Sequence, residues 1–119
     1  MSITYSKELI EQVPARQLNA IIASEKFTII DVRSPQGIES QGSIPTAINK
    51  PMDNLKQDIE TRHTNPDSIF NTEGPFLFCC TGGVMSYMAA IHAQEHGVKN
   101  VHNLEGGHAA WLKLPEDQD

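Results

Sequence analysis

Residues Phe76 to Ser86, Phe-Leu-Phe-Cys-Cys-Thr-Gly-Gly-Val-Met-Ser, constrain the fold of this chain more than any other segment. Phe76, Leu77 and Phe78 are apolar in succession, the composition of a buried strand. Gly82 and Gly83 allow a tight turn, and Ser86 opens an alanine-rich helical pattern. The strand therefore delivers Cys80 to a glycine turn at a helix start, where unpaired peptide N–H groups converge. Such a concavity attracts anions and favours the thiolate form of a cysteine. Cys79 stands one residue earlier on the strand, so side-chain alternation turns it toward the core and away from the turn.

The rest of the chain alternates the same kinds of element. Pro14 with Leu18, Ile21 and Ile22 predicts a short amphipathic helix with proline in its first turn, and Phe27 to Val32 predicts an apolar strand ending in Asp31-Val32-Arg33. Pro35 to Ser40 fits one helical turn, Ile44 to Pro51 a short extended piece, and Asp53 to Arg62 a helix with Leu55 and Ile59 on one face. Thr64 to Gly74 reads as polar turn. After the cysteine turn come a helix from Ser86 to His96 stopped by Gly97, a strand around Val101, and a last helix from His108 to Leu114. Trp111 with Leu104, Leu112 and Leu114 is expected to seal the core. This alternation predicts an α/β domain: a mostly parallel sheet flanked by helices on both faces, with sites at the carboxyl ends of its strands. Arg33 and Cys80 both fall at such ends and are expected to be neighbours.

A chain of 119 residues, 39% hydrophobic and 20% charged, suits one domain that buries its own core. The ordered core is expected over residues 7–113, with frayed ends at 1–6 and 114–119. No run approaches the roughly 20 apolar residues of a membrane span. The first residues carry no apolar signal region, so a cytoplasmic protein without a membrane partner is expected. The two cysteines are adjacent, a spacing that rarely closes a stable disulfide, so reactivity is a better reason for them than stapling. A net charge of −6, with nine dispersed Lys and Arg, argues against nucleic acid as a partner.

Three separated stretches carry a resemblance: Asp31-Val32-Arg33-Ser34-Pro35, then Gly42-Ser43-Ile44-Pro45-Thr46-Ala47-Ile48-Asn49, then Lys99-Asn100-Val101 through Asn103-Leu104-Glu105-Gly106-Gly107 to Ala110-Trp111. In order and spacing they resemble the rhodanese domain family, with Cys80 at the family's catalytic cysteine. The resemblance implies a doubly wound α/β domain and a sulfurtransferase, in which the cysteine accepts a sulfane sulfur as a persulfide and passes it to a thiophilic acceptor. No cofactor and no metal are expected. Its partners would be a small sulfur donor and a thiol acceptor, with a partner protein as a further candidate for either part.

The loop departs from the commonest family pattern. Many members place an arginine where this chain has Met85, and no basic residue lies between Cys80 and Ser86. The string Cys80-Thr81-Gly82-Gly83-Val84-Met85 is more similar to the neutral loops of mercaptopyruvate-type sulfurtransferases. A phosphatase of the same fold needs arginine after five intervening residues, and that position is Ser86. The Cys-Thr-Gly-Gly string is also similar to rhodanese-like tRNA uridine hydroxylases, against which the acidic charge argues.

Backbone alone is sufficient, in principle, to hold a thiolate. A free thiol is a few per cent ionised at neutral pH, and making it mostly thiolate takes about 2.7 kcal/mol. Helix ends contribute about 0.3 to 1 kcal/mol, rising to about 2 in buried settings, and charge-assisted N–H bonds add about 1.5 to 3. A dianion such as thiosulfate nevertheless lacks a counter-charge at this loop. The expected site is therefore Cys80 as nucleophile, with Thr81, Gly82, Gly83, Val84, Met85 and Ser86 as the cradle and Asp31 and Arg33 in support. For Arg33 an ion pair with Glu39 is expected rather than substrate contact. A binding or sulfur-sensing module that keeps the cradle without turnover is the alternative.

His92 and His96 stand four residues apart on one predicted helix, a metal-compatible spacing. The expectation here is that one packs against the core and the other caps the helix C-terminus.

Overall fold

The structure, a computed structural model, describes residues 10–115. Of the ends expected to fray at 1–6 and 114–119, residues 1–6 and 116–119 lie outside the described residues, as does the start of the expected core at 7–9. Five parallel strands form one sheet: β1 (Glu11–Pro14), β2 (Thr28–Asp31), β3 (Ile48–Asn49), β4 (Phe76–Cys79) and β5 (Val101–Glu105), in the order β1-β5-β4-β2-β3. The helices are α1 (Leu18–Ser24), α2 (Pro35–Gln41), α3 (Met52–Glu60), α4 (Val84–Glu95) and α5 (Gly107–Leu112). No helix among the described residues is long and apolar enough to cross a membrane.

Period-two alternation in β4 splits the core into two layers. Phe76, Phe78 and Cys80 pack with Leu55 and Ile59 of α3 and with Ala89, Ala90 and Ala93 of α4. Leu77 and Cys79 pack on the opposite face with Leu18 of α1, Val13, Ile29 and Leu104, and Trp111 of α5 leans on that layer. The α/β sandwich with helices on both faces thus stands as expected.

The element limits differ in instructive places. The chain enters the sheet before Pro14, through the edge strand β1, where a helix start was expected. Only Val13 of its four residues is buried, so the strand leaves almost no apolar periodicity. Pro14 then precedes a 3-10 turn over Ala15–Gln17, and α1 begins at Leu18. The stretch 64–74 is more than polar turn. A 3-10 turn over Ile69–Asn71 buries Phe70 against the rings of Phe76 and Phe78, at centroid distances of 5.5 and 6.3 Å. At the other end Leu104 is fully buried and Trp111 half-buried, but Leu112 is 60% exposed and belongs to no seal.

Strand order fixes where a site forms. From β2 the chain moves outward to β3, whereas from β4 it moves the other way to β5, so the order reverses between β2 and β4. Open α/β sheets bind ligands at the carboxyl ends of strands beside such a reversal. There Asp31 lies opposite Cys79 in register, and the Val32 N–H donates to the Cys79 carbonyl at 2.9 Å.

Candidate active site

β4 ends at Cys79 and α4 begins at Val84, two residues before the expected start at Ser86. The difference lies in Gly83, the residue before the helix, whose φ of +88° turns the chain directly into the first helical turn. In this short loop the Cys80 sulfur accepts hydrogen bonds from the N–H groups of Gly83, at 3.2 Å, and Ser86, at 3.3 Å. Cys80 itself is only 3% exposed. Two backbone donors aimed at one sulfur, at the positive end of a helix, favour negative charge there.

The cradle is held from behind by the start of α5. The N–H of His108 donates to the Cys80 carbonyl and that of Ala109 to the Thr81 carbonyl, each at 2.9 Å. This approach is close enough that a Cβ on Gly107, where φ is +64°, would lie 2.5 Å from both carbonyl oxygens. Gly83 meets the same neighbour from the other side, since a Cβ there would lie 2.8 Å from the Gly106 nitrogen. The Gly106-Gly107 pair is therefore a packing requirement of the cysteine loop.

Cradle residues divide by what their side chains do. Ser86 contributes its N–H to the sulfur, while its buried hydroxyl donates to the Asn103 side-chain oxygen at 2.6 Å. The Asn103 amide in turn donates to the Gly83 carbonyl at 3.0 Å and to Gln12 of β1 at 2.9 Å. Val84 is 74% exposed, and Met85 lines a cleft with Val32, Ser34, Pro51, Met52, Asp53 and Asn54. That lining contains an acid and no Lys or Arg.

Asp31 and Arg33 form a buried ion pair at 2.6 Å; they are 1% and 3% exposed. The expected partner, Glu39, is exposed on α2. Asp31 takes its place because it lies two residues away on the same strand end, and its carboxylate accepts from Arg33 Nε, Nη2 and backbone N–H. The remaining guanidinium donors reach the Gly42 carbonyl at 3.0 Å, Gln41 Oε1 at 3.2 Å and His108 Nδ1 at 3.4 Å. Burial, and then the Arg33 charge, hold His108 below the ordinary imidazole value, so its ring stays neutral and Nδ1 accepts. Arg33 is thus committed to protein groups.

Gln41 went unnoticed in the sequence. Its Oε1 accepts from both Arg33 and the Thr81 hydroxyl, at 3.2 and 3.0 Å, and so joins the ion pair to the cysteine loop. Nothing in a glutamine at the end of a short helix signals this; the contact spans 40 positions in the chain.

A family model described as the rhodanese-like domain matches residues 14–114, which hold every element of this site apart from Gln12. The chain belongs to the rhodanese-like domain family. A sulfurtransferase of Allochromatium vinosum is 26% identical over 106 residues, covering 88% of this chain and 91% of that one. A tRNA uridine(34) hydroxylase of Hamiltonella defensa is 24% identical over 109 residues, covering 92% of this chain and 30% of that protein. Among solved structures, a protein of unknown function from Rhodopseudomonas palustris, described as a possible tyrosine phosphatase, superposes with a TM-score of 0.74. It is 30% identical, with 94% of this chain and 92% of that one covered. This rhodanese-like domain has sulfurtransferases among its relatives, together with proteins of other or unknown activity.

Cys79 behaves as the alternation predicts. It is fully buried in the other core layer. Burial, reinforced by the facing Asp31 carboxylate, pushes its thiol well above the usual range, so it stays protonated. Both cysteines are free thiols.

Proposed function

We propose that this rhodanese-like domain is a sulfurtransferase that carries a sulfane sulfur as a persulfide on Cys80. The observation that carries the reading is the pair of N–H donors, from Gly83 and Ser86, that converge on the Cys80 sulfur in a loop without side-chain cations. In the first half-reaction the Cys80 thiolate attacks the terminal sulfur of a persulfide R–S–SH. The new S–S bond forms as the old one breaks, the electron pair leaves on R–S⁻, and the proton stays on the transferred sulfur. In the second, an acceptor thiolate attacks that terminal sulfur and Cys80 departs as thiolate, restoring the enzyme.

Donor choice follows from charge. Arg33 is buried and paired with Asp31, and the cleft beside Met85 presents Asp53. Among the described residues a dianionic donor meets no Lys or Arg lining that cleft, whereas a persulfide or mercaptopyruvate brings less charge to the reacting sulfur. The same absence argues against phosphatase chemistry of the kind suggested for the Rhodopseudomonas palustris protein, because phosphate transfer needs a guanidinium fork and Ser86 occupies its place. With a net charge of −6, the domain is also poorly suited to a tRNA substrate.

The test is a donor panel of glutathione persulfide, mercaptopyruvate and thiosulfate, read by intact mass as the gain of one sulfur atom. Glutathione persulfide is expected to load wild type readily, thiosulfate slowly, and none to load Cys80→Ser. Failure of every donor to load wild-type protein would leave the binding or sulfur-sensing module as the better reading.

A further inference from the structure

At the far end of α4 from the cysteine loop, the fold assembles a cluster that the sequence shows only in part. His92 and His96 lie one turn apart, with ring centroids 4.3 Å from each other. Packing of α3 against α4 brings Glu60, the last residue of α3, to the same spot. Its Oε2 approaches His92 Nε2 at 3.0 Å. Potential ligand atoms of the three residues all lie within 4.8 Å of one another, and no other such group of three occurs among the described residues.

We propose that Glu60, His92 and His96 form a zinc site that ties the C-terminal ends of α3 and α4 together. Bonds of about 2.0 to 2.2 Å in a tetrahedron place ligand atoms about 3.4 Å apart, a spacing the cluster reaches with small side-chain rotations. Two imidazoles and a carboxylate are a borderline donor set suited to zinc and its neighbours, and three protein ligands leave one position for water. Calcium and magnesium prefer all-oxygen shells.

Two details favour a cation here over a simple ion pair. His92 Nε2 is buried and faces the Glu60 carboxylate at 3.0 Å, so two of the ligand atoms already converge on one point. His96 Nδ1 lies 2.9 Å from the His92 carbonyl, an acceptor, so Nδ1–H donates there and Nε2 carries the lone pair of the neutral ring. Ligating histidines commonly use one ring nitrogen in this way to orient the other. Of the nearby cations, Arg62 is occupied by the carbonyls of His96 and Phe70, and Lys56 lies one turn before Glu60 on α3.

This reading revises the expectation that the two histidines only pack and cap. His96 does follow the end of α4, and its side chain does reach back to the His92 carbonyl. Glu60, 32 positions before His92, is the ligand that spacing alone could not supply. The cluster is separate from the sulfur chemistry, because His92 and His96 follow Ser86 by six and ten residues along α4, about 9 and 15 Å along the helix axis.

The experiment uses the full chain without an affinity tag, treated with chelator and then titrated with Zn²⁺ by calorimetry and with Co²⁺ by absorption. One equivalent is expected to bind wild type and Cys80→Ser alike, with a higher melting temperature in zinc and no sulfur-to-cobalt charge-transfer band. Glu60→Gln and His96→Gln alter exposed side chains and leave the fold intact. Each is expected to weaken binding at least tenfold and to abolish the zinc-induced rise in melting temperature. Unchanged affinity in both variants, loss of binding in Cys80→Ser, or no binding to wild type would overturn the proposal. Persulfide loading of Glu60→Gln should match wild type whichever way the metal result falls.

Discussion

Cys79 and Cys80 are joined by one peptide bond and live in different environments. Cys79 ends β4 inside the layer covered by α1 and α5, where burial and the facing carboxylate of Asp31 hold its proton in place. Cys80 is on the opposite face, its sulfur met by two N–H groups from a helix start. Both are almost wholly buried, so exposure does not separate them. The difference is in what the buried sulfur touches: apolar side chains in one case, hydrogen-bond donors in the other. Low exposure marks an inert cysteine only when no donor is buried with it.

The largest effect tests this contrast directly. Iodoacetamide on the native protein should label Cys80 and spare Cys79, with both labelled in denaturant. Cys79→Ala should load sulfur at the wild-type rate while losing about 1 kcal/mol of stability to the vacated volume. Labelling of Cys79 first, or a folded Cys79→Ala protein that no longer loads, breaks the comparison.

A second test asks whether the donors around Cys80 depend on the backbone clamp behind them. Gly107→Ala puts a methyl group 2.5 Å from the Cys80 and Thr81 carbonyls at a φ of +64°. It should cost about 1 to 3 kcal/mol of stability. Persulfide loading should slow at least tenfold, because the loop cannot keep its geometry. Gly82→Ala meets open space, with nothing within 4 Å, and is expected to stay within about 0.5 kcal/mol of wild type. Equal behaviour of the two variants, by chemical denaturation and loading rate, would show that the clamp is not needed.

The smallest effect concerns pH. His108 is held below its ordinary value of 6.5 by burial and by Arg33, so the unfolded chain binds its proton more readily than the folded one. Its contribution to stability is therefore complete above 6.5 and is lost as pH falls below that value toward the folded-state one. Melting temperature should drop between about pH 7.5 and 5.5, and His108→Gln should flatten that drop. An unchanged slope in His108→Gln would mean that folding does not lower the proton affinity of this ring, through burial or through Arg33.

Features local in sequence were legible in the chain itself. The strand at Phe76, the glycine turn, the helix after it and the opposite facing of the two cysteines all follow from local periodicity and backbone freedom. Local cues misled where the signal was short or the partner distant. β1 buries one side chain of four, too few to show a period, and Arg33 took Asp31 because the two share a strand end. Gln41, Asn103 and the Gly106-Gly107 clamp enter the site through contacts far apart in the chain, which no window of sequence displays.

The alternating α/β architecture and the choice of Cys80 were readable in the chain, because apolar periodicity, glycine and helix starts act within a few residues, while the family was legible through the resemblance of three separated stretches. Tertiary structure decided how that cysteine is supported: α5 donating to the loop's carbonyls, Asn103 holding the Gly83 carbonyl, and Gln41 linking Thr81 to a committed arginine. It also decided that Glu60 meets His92 and His96. Hydrogen bonds and ligand sets depend on distances of about 3 Å between atoms, and only the packing of strands and helices brings chain-distant groups that close.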